Sequence, residues 1–387
     1  MLIITIIAFL IILSVLVLVH EFGHFLTARR NGVKIEEFGL GLPPRAYGKE
    51  IGGTIYSLNW LPFGGFVRLK GEDPTQEGAN DPDSFGAKKI SQRASILVAG
   101  VLMNFLLAVV IFYIILAFSG FRFPWPLLFE HQFRFAKQYD GVLVEELEAG
   151  APAQKAGVEQ FSLITEAAGQ KIYSLDELRK ITSANAGREI KLSFYTPAGE
   201  IKTISVTPRA EPEDKKGTIG VLLNPIALSV IQYQGPFGIA FSGFSQAINM
   251  VEYNTVAIGK IVGTSISRGT IKPVSENIGG PVAIAQVTGQ VVQLGLLPVL
   301  EFAAVLSLTL AVINVLPIPA LDGGRLLFLG IEVVTRRKIN PKIEQAVNSV
   351  AFFILIALII LVSFNDIVRW VTGQTFGNVP DLFGGQK

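Results

Sequence analysis

Two histidines and a glutamate that could form a metal site lie near the N-terminus, in the order His20-Glu21-Phe22-Gly23-His24. Residues four apart on an α-helix face the same side, so His20 and His24 could bind one metal ion together. Glu21 could then reach a water molecule on that metal and act as a general base. Because the chain contains only three histidines, we interpret the motif as a metal site and not as histidines buried for packing alone.

The surroundings of this motif support a functional role. The run from Leu2 to His20 is mostly apolar and contains no charged residue before Glu21. A charged residue near the centre of a membrane helix costs about 2.5–3.5 kcal/mol on insertion scales, so such residues are usually present for function. The pattern therefore predicts a metal-binding helix that crosses a membrane.

A third candidate ligand, Asp322, follows a broken helix near the other end of the chain. Pro317 and Pro319 interrupt the helical pattern, and Gly323 and Gly324 allow a tight backbone next to the carboxylate. Two histidines, one carboxylate and a water would complete the open tetrahedral site of a catalytic zinc ion. The alternative is that Asp322 only caps the helix that follows it.

The composition is that of a membrane protein. Hydrophobic residues make up 50% of the 387 residues and charged residues 17%, and the mean hydropathy is +0.48. A net charge of +2 gives no indication of a nucleic-acid partner. The absence of cysteine excludes disulfides and thiolate ligands.

Four segments are apolar over the ~20 helical residues needed to cross a hydrocarbon layer about 30 Å thick. They are Leu2–Ala28, Ala94–Phe118, Leu297–Leu321 and Ala346–Val362. Lysine and arginine cluster in the loop before the second segment and in the loop after the third, which predicts that both loops are cytoplasmic. Both termini and the segment 119–295 are then expected outside the cytoplasm.

A fifth stretch, Phe237–Val262, has apolar residues at helical spacing. Polar residues such as Gln246, Asn249 and Glu252 make it amphipathic. One more crossing would also place one of the two basic loops outside. We therefore predict a helix that lies on the membrane or folds over the core.

Together the two metal motifs resemble those of the site-2 protease family of intramembrane zinc metalloproteases. The resemblance implies one zinc ion bound by His20, His24 and Asp322, with Glu21 as general base and Asn314 polarising the substrate backbone. Other segments similar to the bacterial branch of this family are Glu37–Gly41, Leu61–Arg68, Arg93–Asn104 and Ile278–Val282.

The resemblance also implies a membrane-associated β-hairpin at about residues 50–70, within Thr54–Leu69, to which an unwound substrate strand is added. Gly64, Gly65 and Phe66 would contact that strand, and an ordinary cytoplasmic hairpin is the alternative. The implied substrates are single-span membrane proteins, such as trimmed anti-sigma factors or remnant signal peptides. The implied location is the bacterial inner membrane.

Between residues 139 and 209 the chain resembles a single PDZ domain. Strands are predicted at 141–146, 163–167, 189–195 and 201–206, with helices at 151–156 and 175–181. Gly141 and Val142 would lie beside its peptide-binding groove. The alternative is a folded plug that filters substrates by size without binding them.

The predicted fold is a polytopic α-helical membrane protein with about four transmembrane helices, a membrane-associated β-hairpin and an inserted extracytoplasmic α/β PDZ domain. The expected divisions are 1–118, a PDZ domain at 139–209, a linker with an amphipathic helix at 210–296, and 297–371. Two other functions are open: an inactive membrane anchor for a peptide-binding PDZ module, and a metal transporter. A transporter needs polar residues along several spans, and the second and fourth spans offer almost none.

Overall fold

A computed structural model describes residues 2–73, 78–210, 217–270, 279–337 and 339–373. The chain forms two compact units: one combines Met1–Ile115 with Gln246–Phe376, and the other contains Leu116–Ser245. Residues 211–216 of the predicted linker lie outside the described residues. In chain order the elements are α1 (Leu2–Arg30), β1 (Ile35–Ile51), β2 (Thr54–Leu69), α2 (Ile90–Phe118), β3 (Arg122–Pro126), β4 (Lys137–Leu147), α3 (Pro152–Ala156), β5 (Leu163–Ala167), β6 (Gln170–Lys171), α4 (Leu175–Ala184), β7 (Ile190–Tyr195), β8 (Ile201–Val206), β9 (Val221–Gln232), α5 (Gly235–Ala240), α6 (Ser242–Arg268), α7 (Pro281–Leu294), α8 (Leu296–Val315), α9 (Asp322–Thr335) and α10 (Pro341–Val371).

Within the described residues, four helices are long and apolar enough to cross a membrane: α1, α2, α8 and α10. This confirms the predicted number of spans. The third span is shorter than predicted, because α8 ends at Val315 and not at Leu321. Pro317 disfavours a helical conformation at the residue before it, and Leu316 accordingly has a ψ angle of 141°.

Helix α7 lies outside every predicted span. It begins with Pro281, a residue suited to the first turn of a helix. The buried carboxylate of Asp366, on α10, accepts hydrogen bonds from the backbone N–H groups of Gly280 (3.0 Å) and Ala283 (3.1 Å). Asp366 thus satisfies N–H groups at the start of α7 and ties α7 to α10.

Strands β1 and β2 form the predicted hairpin, but the hairpin begins at Ile35 and not near residue 50. Its turn is Gly52-Gly53, where both residues have positive φ angles of 61° and 80°. Tight hairpin turns require this conformation, and glycine adopts it without strain. Thr54–Leu69 is therefore the second strand of the hairpin and not the whole of it.

The first part of β1 pairs with both ends of the long strand β2. Phe38 pairs with both Tyr56 and Val67, so the first part of β1 lies between the two ends of β2. The sheet packs on α1 through Phe25, whose ring lies 5.2 Å from that of Phe38 and 6.2 Å from that of Tyr56, measured between centroids. This packing holds the hairpin against α1, the helix that carries the His-Glu-His motif.

An ion pair between the buried carboxylate of Glu37 and the exposed Arg45 stabilises the hairpin. Glu37 is 3% exposed, and the guanidinium of Arg45 donates to its two carboxylate oxygens at 2.9 and 2.6 Å. Burial alone would raise the pKa of Glu37, but the hydrogen bonds from Arg45 and Ser57 hold its pKa below the ordinary value.

We expect Glu37→Gln to lower the melting temperature of the detergent-solubilised protein by several degrees at pH 7. Because the pKa of Glu37 is lowered on folding, the carboxylate stabilises the fold above its unfolded pKa of about 4.3. This stabilisation is lost as the pH falls through the lower pKa of the folded state. The difference in melting temperature between wild type and variant should therefore shrink below about pH 4, and a difference that is constant with pH would contradict this account.

The second unit contains a seven-stranded sheet in the order β3-β9-β4-β5-β7-β8, with β6 paired to β5. The strands predicted between residues 139 and 209 correspond to β4, β5, β7 and β8. Strands β3 and β9 lie outside that predicted range and extend the sheet beyond β4. The sheet buries an apolar cluster that includes Val144, Ile164, Leu192 and Phe194.

The structure does not place Gly141 and Val142 at an open edge. Val142 pairs with Ile164 of β5 on one side and with Ala227 of β9 on the other. A Cβ atom at Gly141 would lie 2.1 Å from the carbonyl oxygen of Ile164. Among the described strands, both residues therefore lie inside the sheet and not at an edge where a peptide strand could be added.

The fifth apolar stretch forms two helices, α5 and α6. On α6 the buried residues include Asn249 and Tyr253, whereas Ile258 and Ile266 are exposed. Among the described helices, α6 is not one of the four that meet the criteria of a membrane span. Its buried polar residues agree with the prediction of an amphipathic helix.

Candidate metal centre

Helix α1 brings the three residues of the His-Glu-His motif to one buried place. His20 and His24, one helical turn apart, point to the same side, and their ring centroids lie 4.8 Å apart. Both imidazoles are buried. A buried imidazole needs a partner for each ring nitrogen, and these partners come from other elements.

Asp322, the first residue of α9, reaches the two histidines from the far end of the sequence. Its Oδ2 lies 3.0 Å from His20 Nε2 and 3.2 Å from His24 Nε2, and the two Nε2 atoms are 3.2 Å apart. Leu321 is the N-cap residue of α9, and within the described part of the chain no side chain forms a capping hydrogen bond there. The carboxylate is thus directed to the histidines and does not serve as a helix cap.

This triangle of ligand atoms fits a zinc ion. Zinc binds imidazole nitrogen and carboxylate oxygen at about 2.0–2.2 Å, so neighbouring ligand atoms of a tetrahedral site are about 3.3 Å apart. The three measured separations, 3.0 to 3.2 Å, approach that value. Three protein ligands leave the fourth position open, as in catalytic zinc sites.

Close helix packing holds the centre together. The Nδ1–H of His24 donates to the backbone carbonyl of Ile96 on α2 at 2.8 Å, which leaves Nε2 free to bind a metal. Gly23 and Gly100 permit this approach of α1 and α2. A Cβ atom at Gly23 would lie 2.3 Å from Ala99 O.

Gly100 offers a direct test of the centre. A Cβ atom there would lie 2.5 Å from His24 Nε2 and 2.8 Å from His20 Cε1, so Gly100→Ala must displace both rings. We expect this variant to bind zinc at least about tenfold more weakly in a chelator competition, as for other disturbed metal sites. Gly330→Ala is the matched control, because that helical glycine has open space around it. Equal zinc affinity in both variants would contradict the assignment.

Glu21 lies at the same place but contacts the hairpin. Its Oε2 accepts a hydrogen bond from the backbone N–H of Val67 on β2 at 3.1 Å. The two histidines, Glu21 and Asp322 line a cavity of about 340 Å³. Asn314, at the end of α8, lines the cavity too, so the predicted metal ligands, base and amide all meet there.

Of the three hairpin residues predicted to contact substrate, only Phe66 lines the cavity. Val67 lines it too. Gly64 and Gly65 are buried and do not line it. A Cβ atom at Gly65 would lie 2.9 Å from the side chain of Leu18 on α1, so Gly65 allows the hairpin to pack closely on that helix.

Three contributors to the centre lie within the family-like segments Leu61–Arg68 and Arg93–Asn104, but the sequence analysis gives them no individual role. Gly100 provides room for the imidazoles, Val67 holds Glu21, and Asn104 lies beside His20. They act through contacts between elements that are far apart in sequence. Arg325, three residues after Asp322, forms an ion pair with Glu72, and both residues line the same cavity.

Comparisons with known proteins agree with this geometry. The model of peptidase family M50 matches residues 8–358. A Clostridium perfringens protein named as a candidate zinc metalloprotease is 33% identical over 93% of this chain and 97% of its own length. The regulator of sigma-W protease RasP of Bacillus subtilis is 28% identical over 94% of this chain and 98% of its own length.

Among solved structures, the PDZ domain of an SdrC-like protein from Listeria monocytogenes is 27% identical, with a TM-score of 0.20, over 22% of this chain and 88% of that domain. The family match, in contrast, extends over most of the sequence. Because it runs from residue 8 to residue 358, the chain belongs to peptidase family M50 and is an intramembrane zinc metalloprotease.

Proposed function

We propose that this protease hydrolyses peptide bonds within or next to the transmembrane segments of single-span membrane proteins, with one zinc ion held by His20, His24 and Asp322. The observation that carries the proposal is the triangle of ligand atoms, 3.0 to 3.2 Å on each side, in one cavity with Glu21. A carboxylate beside such a site can serve as the general base of a metalloprotease.

The three metal ligands, Glu21 and Asn314 would have distinct tasks in the reaction. A bound zinc ion supplies a Lewis acid that polarises the scissile carbonyl and acidifies a water molecule. Glu21 accepts a proton from the attacking water and delivers it to the nitrogen of the leaving amine, so that hydroxide adds to the carbonyl carbon and the C–N bond breaks. The amide of Asn314 donates a hydrogen bond to the developing oxyanion.

The second end of β2 provides a place for an extended substrate. Phe66, Val67 and Leu69 line the cavity, and the N–H of Val67 is directed to Glu21. A substrate strand that pairs with this edge would be held in an extended conformation beside Glu21. Peptide bonds in a helix are engaged in hydrogen bonds with their own turns, so substrates must unwind locally before cleavage.

The second unit offers a different place for a peptide contact from the one first predicted. A groove of about 870 Å³ lies between α4 and the start of β9, lined by Leu175, Leu178 and residues 217–223. Strand β3 pairs with β9 only from Leu228 to Gln232. Within the described residues, the start of β9 therefore has a strand partner only on the β4 side, which supports strand addition in this groove.

We further propose that the protein resides in a bacterial inner membrane, with both termini and the second unit outside the cytoplasm. Arg29 and Arg30 end α1 and Arg93 lies in the first turn of α2, which supports a cytoplasmic loop between them. The relative in Bacillus subtilis is named as a regulator of sigma-W. Trimmed anti-sigma factors and remnant signal peptides are the corresponding candidate substrates here.

Cleavage of a panel of single-span model substrates in liposomes tests this function. We expect cleavage within or next to the transmembrane segment, its loss after chelation and its return with added zinc. Substrates with and without their extracytoplasmic domain would show whether prior trimming is required. Zinc binding without cleavage of either form would favour a peptide-binding or metal-transport role instead.

A further inference from the structure

Asn104 is a fully buried residue of α2 that lies beside His20. Its Nδ2 atom is 3.5 Å from His20 Nδ1. Its Oδ1 atom is also buried but has no hydrogen-bond partner within the described residues. The backbone carbonyl of Asn104 accepts a hydrogen bond from Ser307 of α8 at 2.8 Å.

The chemistry of a zinc-bound histidine explains this arrangement. A neutral imidazole carries one N–H, so a histidine that binds metal through Nε2 has its proton on Nδ1. The Nδ1–H of His20 would then face the Nδ2 of Asn104, which is also a donor. Rotation of the amide by 180° exchanges its nitrogen and oxygen. It gives the imidazole N–H an acceptor in Oδ1 and moves Nδ2 to the other buried side of the amide.

We propose that Asn104 positions His20 by accepting the Nδ1–H hydrogen bond through Oδ1, with His20 Nε2 presented to zinc. This role rests on the proposed zinc site. Asn104 is a positioning residue, since it acts on the metal through His20.

The two histidines are then held in different ways. His24 donates to the backbone carbonyl of Ile96, which no substitution can remove, whereas His20 depends on a side chain. Ligating histidines usually donate their second N–H to a carbonyl or carboxylate, and loss of such a partner weakens metal binding by about 10–100-fold. The side chain of Asn104 is thus the part of this outer shell that mutation can probe.

Zinc affinity of the full-length protein in detergent, measured by competition with a fluorescent chelator, tests the proposal. We expect Asn104→Leu, which keeps the size but removes the acceptor, to bind zinc about 10–100-fold more weakly than wild type. Asn104→Asp keeps an acceptor oxygen and should restore affinity to within a few-fold. The cobalt-substituted proteins should show the same order, with an altered visible absorption spectrum in the leucine variant alone.

Ser307→Ala is the control for packing, because it removes the contact with the Asn104 backbone and leaves the amide in place. It should bind zinc as wild type does. Wild-type affinity in Asn104→Leu, or an aspartate variant as weak as the leucine variant, would overturn the proposal. His20→Ala is measured in parallel: if it binds zinc as tightly as wild type, the zinc site itself is wrong, and the role of Asn104 fails with it.

Discussion

Glu21→Gln is expected to abolish proteolysis while zinc remains bound. Glutamine has the size of glutamate and retains a carbonyl oxygen that can accept the hydrogen bond from the Val67 N–H. It cannot accept the proton of the attacking water, and general base catalysis contributes about 10²–10⁴-fold to such reactions. We therefore expect the cleavage rate to fall by at least about 100-fold.

The measurement is single-turnover cleavage of one model substrate, together with zinc content and melting temperature of the same preparation. The variant should match wild type in zinc content, because Glu21 is not one of the three ligand residues. Glu21→Asp is an informative companion, since it keeps a base but shortens its reach, and it should retain partial activity. A wild-type rate in the glutamine variant would mean that another group removes the proton.

The part of the centre that could be predicted from the sequence is the part that depends on local geometry. His20 and His24 face the same side because of the helical period alone. Asp322 could be recognised because prolines and glycines mark the broken backbone around it. The fit of Gly100 against the imidazoles and the contact of Val67 with Glu21 depend on how separate elements pack, and residue spacing contains no such information.

The strands show the same contrast between local features, which the sequence predicts, and pairing between strands, which it does not. In β1, Pro43, Pro44 and several glycines are typical of a loop, and the strand forms because β2 supplies its partner. The start of β9 falls within the predicted linker and helix region 210–296, although it pairs with β4 and borders the groove. The resemblance to a PDZ domain predicts Gly141 beside a peptide groove, and strand periodicity does not show which strands are its neighbours in the sheet.

Asp322→Ala is expected to remove zinc and activity together. The carboxylate lies 3.0 and 3.2 Å from the two Nε2 atoms, and alanine leaves the site with two protein ligands instead of the three typical of catalytic zinc. We expect zinc affinity to fall by at least about 100-fold, beyond the upper range for losing an outer-shell partner. Chelator competition measures the affinity, and cleavage at saturating zinc measures how much activity the remaining ligands support.

A matched variant separates loss of metal from loss of fold. Glu332 lies on the same helix, α9, and pairs with Arg93 at 2.8 Å. Glu332→Gln should lower the melting temperature, because it weakens a largely buried ion pair, while zinc affinity stays at the wild-type value. Asp322→Ala should show the reverse, with zinc lost and the melting temperature of the zinc-free protein nearly unchanged. Wild-type zinc affinity in Asp322→Ala would rule out Asp322 as a ligand and require another group to complete the site.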